Sequence, residues 1–154
     1  TCEDAGQKVW LNGEDVTESI RTEKAGMLAS STSAFSAVRK KLTQLQKELA
    51  RTQDVVMDGR DIGTSVLPDA PLKIYLTASV ATRARRRFLE LEEKGQAADL
   101  NEIEEDIRRR DEQDMTRKLS PLRQAEDAVM VDSSQMTAEE VVERILELKK
   151  EREA

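Results

Sequence analysis

The segment that most constrains this chain is Asp58-Gly59-Arg60-Asp61-Ile62-Gly63-Thr64, set directly behind the apolar run Val55-Val56-Met57. An apolar run that ends in two glycines, an arginine and two carboxylates has the layout of a ligand-binding strand tip. In doubly wound α/β sheets, ligands sit outside the carboxyl ends of the strands, where backbone amides and a few charged side chains converge. Arg60 suits phosphate, because its planar fork holds two anionic oxygens at once. Taken alone, the segment also reads as a surface turn with a local Arg–Asp pair.

A second strand is expected over 72–77, flagged by Pro68 and Pro71. There Leu72, Ile74 and Leu76 alternate with Lys73, Tyr75 and Thr77, giving one better-buried face. A third is expected at Ala128-Val129-Met130-Val131-Asp132. Strands alternating with helices argue for an α/β parallel sheet. Ser79 is a good N-cap for the helix after the second strand, and Gly95 ends it. Its apolar side is Ala84, Phe88 and Leu91, while Arg83, Arg86 and Arg87 share one flank. That flank is a solvated face paired with Glu90, Glu92 and Glu93, or a site for anions.

The next helix starts at Asp99, with Glu102 three residues on as a variant capping box. Ile103 and Ile107 set its inward face, and the same stripe continues through Arg110, Asp114 and Arg117. Charges replace apolar residues where a helix leaves a core for a polar cleft. The alternative is a pair of intrahelical bridges, Arg110 with Asp114 and Asp114 with Arg117, worth tenths of a kcal/mol each when exposed. Thr137 and Glu140 form a capping box for a last amphipathic helix through Val142, Ile145, Leu146 and Lys149.

The first fifty residues read as a separable unit. Asn12-Gly13, between Lys8-Val9-Trp10-Leu11 and Glu14-Asp15-Val16, signals a two-residue hairpin turn. Helices are expected from about Glu23 and again from Ser33. Phe35, Val38, Leu42, Leu45 and Leu49 form one apolar stripe, read as core packing, with a partner-helix role as the alternative.

Composition narrows the chemistry. The 154 residues suffice for one domain, or a core with a small insert. No apolar run approaches membrane-spanning length and no signal-peptide pattern appears, so a cytoplasmic setting without membrane partners is expected. The single Cys2 excludes an internal disulfide, and the absence of histidine removes His-based acid–base and Ser–His chemistry from this chain. A net charge of −6 and 3% aromatics argue against a nucleic-acid partner but leave mononucleotides open.

Val55 to Thr64, then Leu67-Pro68-Asp69-Ala70-Pro71-Leu72-Lys73-Ile74, then the arginine helix closely resemble the bacterial-type cytidylate kinase (CMP/dCMP kinase) family, from about Gly6 to the last helix. The resemblance implies the nucleoside-monophosphate-kinase variant of the P-loop fold, a parallel sheet with flanking helices. Residues 1–52 would be a small α+β inserted monophosphate-binding domain, and 53–154 the remaining core with a lid at about 83–118.

That family opens with a GxxxxGK[ST] phosphate loop, and none of the six glycines here is followed by Lys-Ser or Lys-Thr. With Thr1 as first residue, the chain is read as a truncated, C-terminal portion lacking roughly 70 residues at ordinary element lengths. Such a portion is expected to fold poorly, with unpaired or rearranged strand edges at 55–57 and 72–77, and to bind its acceptor without turnover.

The implied reaction moves the γ-phosphoryl of ATP to CMP or dCMP with Mg2+, in a protein expected to be monomeric at full length. By the same resemblance Ser30 and Arg39 contact the base, and Asp61 accepts from the cytosine N4 amine. Arg60, Arg110 and Arg117 hold phosphates, Asp114 the ribose hydroxyls, and Arg86 and Arg87 are lid residues for ATP. Asp58 is a candidate for orienting a magnesium-bound water. Gln113, Met115 and Thr116 depart from the family's usual charged or amide residues. Two further readings stay open: a non-catalytic nucleotide-binding or interaction module, and a kinase for another nucleoside monophosphate.

Overall fold

The computed structural model of the chain describes residues 8–33 and 35–153, with the side chains of Glu23 and Ser30 outside the description. The chain divides between Thr52 and Gln53 into two compact units.

In the first unit, β1 (Trp10–Leu11) and β2 (Glu14–Asp15) pair antiparallel, Trp10 opposite Asp15 and Leu11 opposite Glu14. Asn12 and Gly13 both take left-handed backbone angles, φ 51° and 87°, as a type I′ hairpin turn requires. Thr17 closes the hairpin's open end: its hydroxyl accepts from the Val9 amide at 2.9 Å, and its own amide and hydroxyl both donate to Asp15. Those two bonds, the hydroxyl's first, hold the Asp15 carboxyl below its ordinary range.

A single 3₁₀ turn, Ser19–Arg21, leads to α1 (Glu23–Ser33) and then α2 (Ser36–Thr52). The apolar stripe on α2 is not a core. Phe35 is 68% exposed, and Leu42, Leu45 and Leu49 lie near 45%. None of the described residues of this unit is buried. The partner helix α1 is eleven residues long, rich in small side chains, and leaves Met27 and Leu28 exposed as well. It has little surface with which to cover a stripe.

The second unit is built on a parallel pair, β3 (Ile74–Thr77) and β4 (Val129–Asp132), in the register Ile74 to Val129 through Thr77 to Asp132. Between them run α3 (Val80–Glu93) and α4 (Leu100–Thr116), and α5 (Ala138–Glu153) follows. Val66, Ala78, Ala84, Val131 and Leu148 are its buried apolar residues, with Val66 and Ala84 at 1% and 0% exposure. The sheet is small: β3 has β4 on one side and no strand on the other among the described residues.

Two strand expectations need correction. Val55-Val56-Met57 forms no strand, and Val56 is fully exposed. A strand exists only where another edge takes up its amides and carbonyls, and no described strand does so here. In β3 the apolar face is not the better-buried one: Leu76 is 54% exposed, while Lys73, just before the strand, is 9% exposed.

Local signals at the helix ends match the structure. Ser79 Oγ accepts from the Thr82 amide at 3.1 Å, and Asp99 Oδ1 accepts from the amides of Asn101 and Glu102. Gly95 ends α3 at φ 68°. Thr137 and Glu140 complete a reciprocal capping box, each side chain accepting from the other's amide at 3.2 and 2.7 Å.

Candidate anion-binding site

The Asp58–Thr64 segment tightens into a single π-helical turn, Ile62–Val66. The Asp61 carbonyl accepts from the Ser65 and Val66 amides, and the Ile62 carbonyl from Leu67. The turn ends on Val66, whose complete burial stabilises it by about 2 kcal/mol. Asp61, which opens the turn, is 7% exposed.

Lys73 supports this turn from below. Its ammonium donates to the Pro68 carbonyl and lies 2.6 Å from Asp127 Oδ2. The Lys73 hydrogen bond is the main reason that the Asp127 carboxyl sits below its ordinary range. The lysine's stem lies against Gly63, where a Cβ would come within 3.3 Å of Lys73 Cδ. At Gly59 a Cβ would come within 2.8 Å of Ile62 Cγ1. The two glycines therefore permit close approach and are not needed for left-handed turns, since neither has a positive φ.

Asp114, on the last turn of α4, gathers the cations. Arg60 Nε donates to Asp114 Oδ2 at 2.9 Å, and Arg117 Nη1 lies 3.7 Å from Oδ1. Arg117 Nε donates to the Ser120 carbonyl at 2.6 Å. That carbonyl is presented by a left-handed Ser120, φ 49°, just before Pro121. The Leu122 amide then returns to the Asp114 carbonyl at 2.8 Å, tying the loop back onto the helix end.

One atom in this cluster is unsatisfied. Arg117 Nη2 is buried and has no hydrogen-bond partner among the described residues. A buried donor left unpaired costs about 1–3 kcal/mol. An anionic oxygen at Nη2 would remove that cost.

Of the two intrahelical bridges that formed the alternative reading of this stripe, the one from Arg110 to Asp114 does not form. Arg110 is exposed, without a hydrogen-bonding or ionic partner among the described residues, and Asp114 turns instead to Arg60, 54 residues away. Asp58 is exposed.

The arginines of α3 diverge. Arg83 forms a two-pronged pair with Asp111 of α4. Arg86 donates to the carbonyls of Ser133 and Met136 at 2.6 and 3.0 Å, joining α3 to the loop after β4. Arg87 pairs with Glu90 at 2.9 Å on the exposed face. Lys94 and then Arg87 hold the Glu90 carboxyl below its usual range. In the first unit, Arg39 Nε donates to the Ser33 carbonyl at 3.2 Å where α1 gives way to α2. Ser30 belongs to α1, and its side chain lies outside the described residues.

The pairing roles of Lys73, Asp111 and Asp127 are not among the sequence expectations. Lys73 carried one faint signal, a charge inside an otherwise apolar strand approach. Asp111 carried another: it falls four residues after Ile107 on the half-buried line Ile103, Ile107, Asp111, Asp114.

Among the described residues no group of three carboxylate, histidine or cysteine side chains could enclose a metal ion. The second unit is thus a small parallel α/β scaffold whose loops and helix ends converge arginines around one carboxylate.

The cytidylate kinase family model matches residues 2–151. The chain is 55% identical to a cytidylate kinase of Caldicellulosiruptor saccharolyticus over 92% of its length and 63% of that relative. Against a Lactobacillus johnsonii cytidylate kinase it is 51% identical over 95% of its length and 64% of the relative. A Pseudomonas paraeruginosa cytidylate kinase is 50% identical over 92% of the chain and 62% of the relative. This chain belongs to the cytidylate kinase family. It spans a little under two thirds of the length of these curated relatives.

Proposed function

We propose that the chain forms the acceptor side and lid of an enzyme that transfers the γ-phosphoryl group of ATP to CMP or dCMP. The observation that carries this reading is the Arg60–Asp114–Arg117 cluster with the buried, unpartnered Nη2 of Arg117, in a chain matched to cytidylate kinases along nearly its whole length. The fold would be the nucleoside-monophosphate-kinase variant of the P-loop fold, with residues 1–52 as the monophosphate-binding insert and about 83–118 as the lid. The setting would be cytoplasmic, the full-length protein monomeric, and the partners nucleotides, with no nucleic acid or membrane.

The attacking group is already an anionic phosphate, so no general base is required and catalysis is positioning plus charge stabilisation. Asp114 holds Arg60 and Arg117 side by side, so that both cations are pre-oriented before an acceptor arrives. Arg117 offers Nη2 to a phosphate oxygen, Arg60 and Arg110 add charge, and Asp114 accepts from the ribose hydroxyls.

Asp61 accepts from the cytosine amine, and uracil would turn a carbonyl oxygen to the same carboxylate. That contrast disfavours uracil by about 1–3 kcal/mol. Ser30 and Arg39 keep the base-contacting assignment that the family likeness gives them, and Arg86 and Arg87 the assignment to ATP. Mg2+ would come with ATP and draw charge from its phosphates, with Asp58 holding one of its waters.

Calorimetric titration of the chain with CMP and UMP, beside steady-state turnover of the full-length protein with ATP, tests the reading. CMP should bind at least ten-fold tighter than UMP. Absence of CMP binding at millimolar concentration, together with no turnover by the full-length protein, overturns the proposal.

A further inference from the structure

We propose that Arg83 and Asp111 are a positioning pair that sets the rotation of α4, and with it the placement of Arg110, Asp114 and Arg117. The inference rests on the acceptor-site reading above. Arg83 uses all three guanidinium nitrogens: Nη1 donates to Asp111 Oδ1 at 3.0 Å, Nη2 to Oδ2 at 2.6 Å, and Nε to the Ala78 carbonyl at 3.0 Å. Ala78 is buried and directly follows β3, so the guanidinium links the sheet's end to α4.

The location on α4 gives the pair its consequence. Ile103 and Ile107 are the half-buried apolar residues of the helix's first half, and Asp111 is next on the same line. Beyond Ile107 no apolar side chain on that line fixes the helix, while the proposed site residues that this helix and its C-cap supply, Arg110, Asp114 and Arg117, lie at or after position 110. A residue advances about 100° around an α-helix, so any rotation of the helix at 111 carries Arg110 and Asp114 with it.

A two-pronged Arg–carboxylate contact restrains rotation as a single lysine contact does not. Both side chains are part-buried, at 35% and 25% exposure, which spares the pair much of the screening that weakens surface bridges. The arginine's affinity for its proton is raised, chiefly by the Asp111 hydrogen bonds, so the cation persists across the working pH range.

A double-mutant cycle in the full-length protein tests the inference, with Arg83→Gln, Asp111→Asn and the pair combined. Arg83→Lys serves as a milder variant if Gln prevents folding. The readouts are KM for CMP, KM for ATP, kcat, the melting temperature, and hydrogen exchange across residues 110–117. Each single change should raise KM for CMP about ten-fold, more than KM for ATP, and the double variant should be no worse than the worse single. Lysine at 83 should recover only part of the loss.

A lowered melting temperature with unchanged KM for CMP would make the pair merely structural and overturn the inference. Multiplying single effects would overturn it as well. If the wild-type protein neither binds nor phosphorylates CMP, the functional reading fails separately. Hydrogen exchange then decides: ten-fold faster exchange across 110–117 in the single variants supports the pair, and unchanged exchange overturns it.

Discussion

Helices α2 and α4 have the same length, 17 residues, and opposite relations between pattern and packing. α2 carries the cleaner apolar stripe, yet Leu42, Leu45 and Leu49 stay nearly half exposed. α4 runs into charge midway along its inward line, yet that half is tied down from two sides, by Arg83 on Asp111 and by Arg60 on Asp114. Periodicity states that a helix has a face. What covers that face is a separate matter, settled by partners far along the chain.

The largest expected effect is at the centre of the charged cluster. Asp114→Ala leaves Arg60 and Arg117 facing each other without their shared carboxylate. We expect CMP affinity to fall by about 2 kcal/mol, roughly 30-fold, the half-exposed Arg60 keeping the loss below that of a buried pair. Calorimetry that finds unchanged CMP affinity would remove the cluster from the acceptor site.

Gly63→Ala should come next. A new Cβ would press on the Lys73 stem at 3.3 Å, and the buried lysine has two polar partners to keep. We expect about 1 kcal/mol of lost stability, read from urea midpoints at unchanged slope. A neutral result would show that the lysine yields easily and that the turn is less constrained than its contacts suggest.

The same lysine supplies a pH signature. Asp127 titrates below its ordinary 3.8 when folded, chiefly through Lys73, so its contribution to stability is present above the unfolded-state value and fades as pH falls through the lower folded one. Lys73→Met should flatten that acid limb. Thermal melts of both proteins from neutral pH down to about pH 3 check the sign, and parallel curves would refute the coupling.

The smallest effect belongs to α2. Leu45→Gln on the open stripe should change stability by no more than about 0.5 kcal/mol, as surface substitutions do. A loss of 2 kcal/mol or more would show that the stripe is covered in solution, and the contrast with α4 would collapse.

Much of the local structure was legible in the residues. Asn12-Gly13 makes the hairpin, Ser79, Asp99 and Thr137 cap helices, and Gly95 ends one, because each acts through atoms within a few residues of itself. The charged line through Asp114 and Arg117 was legible as a departure from the core. Its partners were not. Spacing offered Arg110 as a mate for Asp114 only in the alternative reading, and Arg60, which no spacing points to, holds that place. Arg86 and Arg87 stood out from Arg83 through likeness to a family, whereas the two-pronged contact to α4 belongs to Arg83.

The apolar run at 55–57 shows the same division. Its composition suits a strand, but a strand needs a second edge to pair with, and none of the described strands lies against it. Composition, spacing and capping settle what a segment of this chain is able to form, because those energies act over one or two helical turns. The family, too, was written in the Asp58–Thr64 and Leu67–Ile74 motifs. The choice of Arg60 for Asp114, Arg83 for Asp111 and Asp127 for Lys73 came only with the folded chain. Ion pairs act at contact distance, and residues 28 to 54 positions apart reach that distance only after strands and helices have packed.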